Sequence, residues 1–448
     1  MKTYQDLEAV GLEESKRMEF ILDAVRAHKE TDAYKNARAA EAYYAKHNLT
    51  IEKFQKFLYD AAGRAMPDLF SANYKLKTLF FRRFVIQQVQ YVLSNGVTFK
   101  ENGTKDKLGA DIDNALTDLA KKAMVGGVAF GFWNYDHLEV FSLADTPRSP
   151  GFVPLYDEDT SLLKAGIRYS NNGFAERYTL YELDGITEYI KRNKEEIAVL
   201  KEKHGYIKNT KTTEATGVEE EEYLNYPGFP IIPMYANDLR DSELVGIRES
   251  IDCYDFIKSG MANTVDDTSG FYWLLYGEGG MDDVDVSHFV NRMKQLKGAV
   301  LGADMKAEAH TLDVPVEARE KLLDRLRKDL YEDFMLLDIE KALSGDITAT
   351  GIRMAYQQQD DKCGDFEYHI RDFIARLLSL LGINDTPEFK WNRIANATEE
   401  IQNIMTEWPL IGDDAALDLL PNLTPEMVEA IKNAKASTLD NRFGGGQA

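Results

Sequence analysis

Apolar residues fall at helical spacing through the first hundred positions. Met18, Ile21, Leu22 and Val25 lie three and four apart, and an Ala/Tyr-rich run covers Ala33 to Tyr44. The pattern predicts a further helix over Tyr74–Leu93, stopped at Ser94-Asn95-Gly96, and another over Asp111–Met124 that leads into Gly126-Gly127. The period then shortens to two. Val128, Phe130 and Phe132 alternate, and strand-like runs occupy Leu138–Leu143, Leu162–Tyr169 and Arg177–Leu183. Asn171-Asn172-Gly173 predicts a type I′ hairpin turn, because Asn and Gly tolerate positive φ. An antiparallel β region is therefore expected from Val128 to about Arg192. Lys191–Lys203 reads as a charged helix closed by Gly205, and Asn209–Glu222, ending in four glutamates, as an exposed loop.

The second half returns to long helical periods. Gly228–Tyr235 reads as a short strand with prolines at both flanks. Asp241 or Ser242 is placed to cap a helix with one narrow stripe: Leu244, Ile247, Ile251, Tyr254, Ile257, Met261 and Val265. Residues 266–314 are Gly-rich, with strand-like Phe271–Tyr276 and Ala299–Leu301 around a short helix, Val286–Leu296. After Pro315 a second striped helix carries Leu322, Leu323, Leu326, Leu330, Phe334 and Leu337. The break Ser344-Gly345-Asp346 follows, and Thr350 can cap a third long helix with Phe366, Ile370, Phe373, Ile374, Leu377 and Leu381, closed by Gly382. A strand at Phe389–Trp391, helical pieces at Thr398–Met405, Asp413–Leu419 and Thr424–Ala434, and a Gly-rich tail complete the chain. A narrow stripe fits a helical layer on a sheet, and it also fits a helical barrel built by several subunits. Periodicity leaves both open.

Composition narrows the class. The 448 residues carry 53 basic and 75 acidic side chains, a net charge of −22, and 44% are hydrophobic, as in a folded globular protein. Cys253 and Cys363 cannot make a disulfide framework and read as reduced thiols. No apolar run resembles a signal peptide or a membrane span, so a soluble intracellular protein is expected. The acidity argues against tight nucleic-acid binding.

Catalytic chemistry has no constellation. The dipeptide Gly-Lys is absent, so no phosphate loop of the ATPase kind exists, and H-E-x-x-H, C-x-x-C and G-x-S-x-G are absent too. Gly277-Glu278-Gly279-Gly280 lacks dinucleotide-loop spacing and reads as a hairpin tip. Asp282, Asp283 and Asp285 could meet a hard cation, but helix N-terminal charge accounts for them better. The pairs Asp360-Asp361 and Asp413-Asp414 are sequential, so they point apart on a helix. Lys294, Lys297 and Lys306 could meet phosphate or be plain surface charge. The four tryptophans suit core or interface anchoring. No enzyme activity, cofactor or metal is expected.

The order of segments resembles the portal protein family of tailed bacteriophages, of the type found in long-tailed phages of Gram-positive hosts. The resemblance covers roughly residues 73 to 435. It rests on Tyr91-Val92-Leu93-Ser94-Asn95-Gly96-Val97-Thr98-Phe99, Ala123–Phe130, Pro154-Leu155-Tyr156-Asp157 and Phe229-Pro230-Ile231-Ile232-Pro233. Asp241-Ser242-Glu243-Leu244 followed by Ile251-Asp252-Cys253-Tyr254-Asp255, Thr350-Gly351-Ile352-Arg353-Met354-Ala355, and Phe389-Lys390-Trp391-Asn392-Arg393 continue it. The departures are Thr350 where the family has serine, Arg353-Met354-Ala355 where it has A-L-K, Ser94 for a glycine and Gly96 for a proline.

The resemblance implies an α+β, mainly helical portal fold and a ring of subunits, usually twelve in the family, at one capsid vertex. Residues 1–240 would form the wing with its antiparallel sheet, 241–265 and 315–343 the stem helices, and 266–314 a small α/β clip. Residues 344–351 would be the tunnel loop, 352–397 the long wing helix and returning strand, and 398–448 the crown and tail. Double-stranded DNA would pass through the channel during packaging and ejection. Lys341, Ser344, Gly345, Asp346 and Thr348 would face it, with Thr350 and Gly351 capping the loop's exit. Tyr276, Glu278, Lys294 and Lys297 of the clip would meet the terminase large subunit and, later, head-completion or connector proteins. Capsid and scaffolding proteins are further implied partners, with assembly in the host cytoplasm and residence in the virion. The alternatives are another structural virion or head–tail connector protein, and a metal-dependent nucleic-acid enzyme. In a conduit the acidity has a use, since a channel must not hold the phosphates it passes.

Overall fold

The two-residue period after Val128 becomes one eight-stranded sheet. The computed structural model describes residues 2–59, 64–69, 71–101, 103–147, 149–192, 196–212, 219–266, 271–276, 306–311, 316–338, 349–392, 404–410, 412–420, 423 and 427–434. These fall into two units: Met1–Glu41, Arg83–Val245 and Met335–Ala448 make the first, Ala42–Arg82 and Gly246–Phe334 the second.

Helices α1 (Tyr4–Val10), α2 (Glu14–Glu30) and α3 (Asp32–Tyr44) open the chain. They are followed by α4 (Leu49–Lys53), the hairpin β1 (Phe57–Tyr59) and β2 (Ala65–Pro67), α5 (Phe80–Leu93), β3 (Val97–Phe99), α6 (Thr104–Lys107) and α7 (Ile112–Gly126).

The sheet of the first unit is then built from β4 (Val128–Asn134), β5 (His137–Ser142), β6 (Gly151–Tyr156), β7 (Leu163–Asn171), β8 (Ala175–Glu182), β9 (Gly185–Arg192) and β10 (Ala198–His204). A separate hairpin, β11 (Ile207–Thr212) with β12 (Glu219–Leu224), precedes β13 (Ile231–Tyr235), which returns to pair antiparallel with β4. The order is β10-β9-β8-β7-β6-β5-β4-β13, antiparallel except for one parallel bridge between β5 and β6.

Two apolar layers sandwich the sheet. Leu7, Phe20, Ile21, Ala24 and Val25 of α1 and α2 pack on Val153, Leu155, Ile167 and Leu180. The other face holds Phe130, Phe132, Phe141, Phe152 and Tyr181. Both faces of the middle strands are thus covered, and every residue of β4 from Val128 to Trp133 is buried. The alternation visible in the sequence reports strand direction here, not a wet face.

The second unit contains α8 (Arg248–Asp266), β14 (Phe271–Tyr276), β15 (Lys306–Thr311) and α9 (Val316–Asp333). The first unit resumes with α10 (Ala349–Leu380), β16 (Pro387–Phe389) and α11 (Asp413–Leu419). The predicted stripe of α10 is its buried face: Phe366, Ile370, Phe373, Ile374 and Leu377 are at most 1% exposed. Gly131 in β4 leaves room for Phe373, since a Cβ there would come within 2.5 Å of the ring.

Several expectations need correction. Lys191–Lys203 is not a helix but the end of β9 and most of β10. The β10 edge strand is exposed, lysine-bearing and bulged, so charges tolerated at a sheet edge imitate a solvated helix in the sequence. Asn209–Glu222 is not wholly a loop: its two ends are the β11–β12 arms, with Lys211 opposite Glu220 in the register. The hairpin after Asn171 turns at Gly173-Phe174, where the Asn172 N–H donates to the Ala175 carbonyl and only Gly173 takes positive φ, so it is not type I′. The helix predicted from Tyr74 begins at Phe80, the one predicted after Asp241 begins at Arg248, and the late strand starts two residues early, at Pro387.

Candidate functional site

Helix α8 buries a face that its apolar stripe does not predict. Asp255, Ser259 and Asn263, spaced four apart, are 0%, 6% and 7% exposed, while Phe256 beside them is 51% exposed. Each polar side chain meets the main chain of the extended segment 74–78. Asn263 Oδ1 accepts from the Tyr74 N–H at 2.6 Å, and its Nδ2 donates to the Tyr74 carbonyl at 3.4 Å. Ser259 Oγ accepts from the Leu76 N–H at 2.9 Å. Asp255 Oδ1 accepts from the Thr78 N–H at 3.0 Å. Four helical residues rise about 6 Å and two strand residues about 6.6 Å, so the two periods stay nearly in step over three rungs. This ladder keeps the segment out of the helix that follows, because the N–H groups of Tyr74, Leu76 and Thr78 are already bonded to α8.

The foot of the ladder is a polar hub. Asn48 caps α4 by accepting from the Thr50 and Ile51 N–H groups and donates through Nδ2 to Asp255 Oδ2 at 3.0 Å. Burial pushes the Asp255 carboxyl above its ordinary pKa, against hydrogen bonds from Thr78 and Asn48 that favour the anion. Asp252 accepts from the Tyr43 and Thr50 hydroxyls.

At the head of the ladder lies a cavity of about 530 Å3. Phe54, Phe256, Ile257 and Leu322 supply apolar wall, and Lys75 and Arg319 line it as cations. The Lys75 ammonium donates to the Glu52 carbonyl at 2.7 Å, and Arg319 to the Thr264 hydroxyl at 3.4 Å. Helix α9 packs against α8. Its outer side is laced by Glu317–Lys321, Arg325–Asp329 and Lys328–Glu332 pairs at i,i+4. Of its predicted stripe, Leu330 and Phe334 are buried, but Leu322 remains 46% exposed.

The insertion between α8 and α9 opens and closes on one antiparallel pair, β14 with β15, that sets Phe271 opposite Thr311 and Tyr276 opposite Lys306. Tyr276 thus ends β14. Glu278, Lys294 and Lys297, the helix Val286–Leu296 and the strand Ala299–Leu301 lie outside the described residues. So do Lys341, Ser344, Gly345, Asp346 and Thr348. Thr350 and Gly351 stand inside α10, not ahead of it, so the helix already includes 349–351.

The residues that organise this region, Asn48, Asp255, Ser259 and Asn263, escaped sequence reasoning. Their signal was a polar i, i+4, i+8 series running beside the apolar one.

Among the described residues, no helix is long and apolar enough to cross a membrane. A family model described as phage portal protein, SPP1 Gp6-like, matches residues 22–439. The chain is 25% identical over 390 residues to the portal protein of Bacillus phage SPP1, covering 81% of this chain and 75% of that one. It is 26% identical over 165 residues to the portal protein of Clostridium phage phiCD119, covering 35% and 36%. Among solved structures it is similar to chains in the neck of empty and native gene transfer agent particles, computed with C6 and C12 symmetry. The TM-scores are 0.39 and 0.40 at 11% identity, over 77% and 76% of this chain and 90% and 89% of those.

Proposed function

The chain belongs to the SPP1 Gp6-like family of phage portal proteins, and from that premise we propose that it forms a closed ring at one capsid vertex, a conduit for double-stranded DNA. The observation that carries this reading is the α8–α9 pair. The two helices flank the β14–β15 pair, and each leaves an apolar side chain exposed in the single chain, Phe256 at 51% and Leu322 at 46%. Neighbouring copies in a ring would cover them, because a head-to-tail contact that closes on itself satisfies every such surface.

In this reading α8 and α9 are the stem and the β14–β15 insertion is the clip, which meets the terminase during filling and head-completion proteins afterwards. The sheet unit is the wing, β3 with β16 closes it, and the segment from about 398 is the crown. The tunnel loop is shortened to 344–348, since α10 already contains 349–351. The protein is a structural component: the terminase supplies the work and the ring supplies a path. A net charge of −22 suits that role, because counterion release makes concentrated Lys and Arg grip phosphate, whereas a conduit must release it.

Native mass spectrometry tests the ring. Twelve chains of 50.8 kDa give about 610 kDa, with a central hole in negative-stain top views. A monomer or dimer at all concentrations overturns the reading. For the loop, deletion of 344–348 leaves assembly intact and impairs packaging; unimpaired packaging refutes its assignment.

A further inference from the structure

The face of α10 that meets the chain segment after β13 carries a second polar constellation. That segment is rigidly held. The Ala236 N–H donates to the Gly127 carbonyl at 3.0 Å, and Asn237 Nδ2 donates to the Asp241 carbonyl at 3.0 Å and to Glu243 Oε1 at 2.7 Å. Gly127, at φ +83°, admits this approach, since a Cβ would lie 2.7 Å from the Arg240 carbonyl oxygen. Lys362 of α10 closes the contact with a nearly buried ion pair to Glu243 at 2.6 Å.

Within the same unit, Asp238 of that segment and Asp365 and His369 of α10 converge. Asp365 and His369 are one turn apart, so they share a helix face. One ligand-type atom from each lies within 4.8 Å of the other two. The His369 side chain is only 11% exposed, and its Nε2 is buried with no hydrogen-bond partner among the described residues. The Asp238 carboxylate lies 3.5 Å away, within ion-pair reach but longer than an ordinary hydrogen bond. The unpartnered buried nitrogen is the costly feature, and the exposed carboxylates of Asp238 and Asp365 set oxygen donors beside it. A divalent ion would resolve both the orphaned nitrogen and the paired negative charge.

We propose that Asp238, Asp365 and His369 bind one divalent transition-metal ion, with Zn2+ the best match. Two carboxylate oxygens and one imidazole nitrogen are a three-ligand set for zinc, leaving a fourth position to water. Metal–ligand bonds of about 2.0–2.2 Å place ligand atoms roughly 3.5 Å apart. The present separations close to that by side-chain rotation, for which the exposed Asp238, at 87%, has freedom. Imidazole in the set favours zinc-like ions over Mg2+ or Ca2+, which prefer all-oxygen shells. The bound ion would act as a clasp, fixing the segment after β13 to α10.

The test is a calorimetric titration of ZnCl2 into the full-length protein after EDTA treatment and dialysis. One saturable site per chain is expected, together with a higher Tm in zinc. Removing a hydrogen-bond partner behind a metal ligand costs 10–100-fold in affinity, so His369→Gln and Asp365→Asn should each weaken binding by at least about 100-fold. Asp238→Asn, at an exposed position that cannot threaten folding, should weaken it too. Asp361→Asn, exposed on the same helix, should leave it unchanged. Co2+ in place of Zn2+ should give visible absorption bands that vanish in His369→Gln. Absence of saturable binding, or affinity unaltered by Asp238→Asn and His369→Gln, overturns the proposal and leaves a simple imidazole–carboxylate contact.

Discussion

Asn263 holds Tyr74 as a neighbouring β-strand would: its side-chain amide accepts from the Tyr74 N–H at 2.6 Å and donates to the Tyr74 carbonyl at 3.4 Å. A helix cannot offer its own main chain to a strand, because its amide and carbonyl groups bond within it. Side chains at four-residue intervals take over that task in α8.

The ladder should be worth measurable stability. Asn263→Leu keeps the bulk and removes two hydrogen bonds to the Tyr74 main chain, at a cost of about 1–3 kcal/mol. Urea unfolding should show the loss, and amide exchange at 74–78 should accelerate relative to the sheet.

Asp255 and Asn48 form a directional pair, so their chemistry should be exchangeable. Asp255→Asn places two amide groups face to face and should destabilise by about 1–3 kcal/mol, although the shape is kept. Adding Asn48→Asp restores a donor facing an acceptor. A double-mutant cycle should therefore show a favourable coupling between the two changes; strict additivity would sink the pairing.

The same carboxyl gives a pH signature. Burial raises the Asp255 pKa in the folded state above its unfolded value. Its contribution is thus fully present below the unfolded value and is lost as pH rises through the folded one. The stability gap between wild type and Asp255→Asn should narrow with increasing pH above about pH 4, measured by urea midpoints.

Gly131 and Phe373 are in close register across β4 and α10. Gly131→Ala forces the ring aside and should cost about 1–3 kcal/mol, and Phe373→Leu in the same chain should return part of it. Equal losses with and without Phe373→Leu would refute the contact as the cause.

The two thiols should report their surroundings. Cys253 is exposed, while burial pushes the Cys363 thiol up to about 12. A maleimide probe should label Cys253 in the native chain and reach Cys363 only on unfolding. Prompt labelling of both would contradict the packing around α10.

Much of the architecture was legible. The apolar stripe of α10 from Phe366 to Leu377 is the buried face, and β5, β7, β8 and β13 lie where alternation or an apolar run placed them. The strand β10 was not, because Lys201, Glu202 and Lys203 sit on a sheet edge, where charge is as acceptable as on a solvated helix. The ladder was not, because the polar series in α8 looks outward until something polar is placed against it.

The sequence by itself determined the kind and order of the elements: periods of 3.6 and 2, the glycine stops, and the family whose segment order they follow. Those are local or nearest-neighbour properties, and they survive without knowing what lies opposite. Only the tertiary structure decided which face of α8 is inner, that residues 74–79 stay extended, and that Asp238 meets His369. In each case the deciding term is a hydrogen bond or charge contact between residues more than a hundred positions apart, whose partners no window of sequence contains.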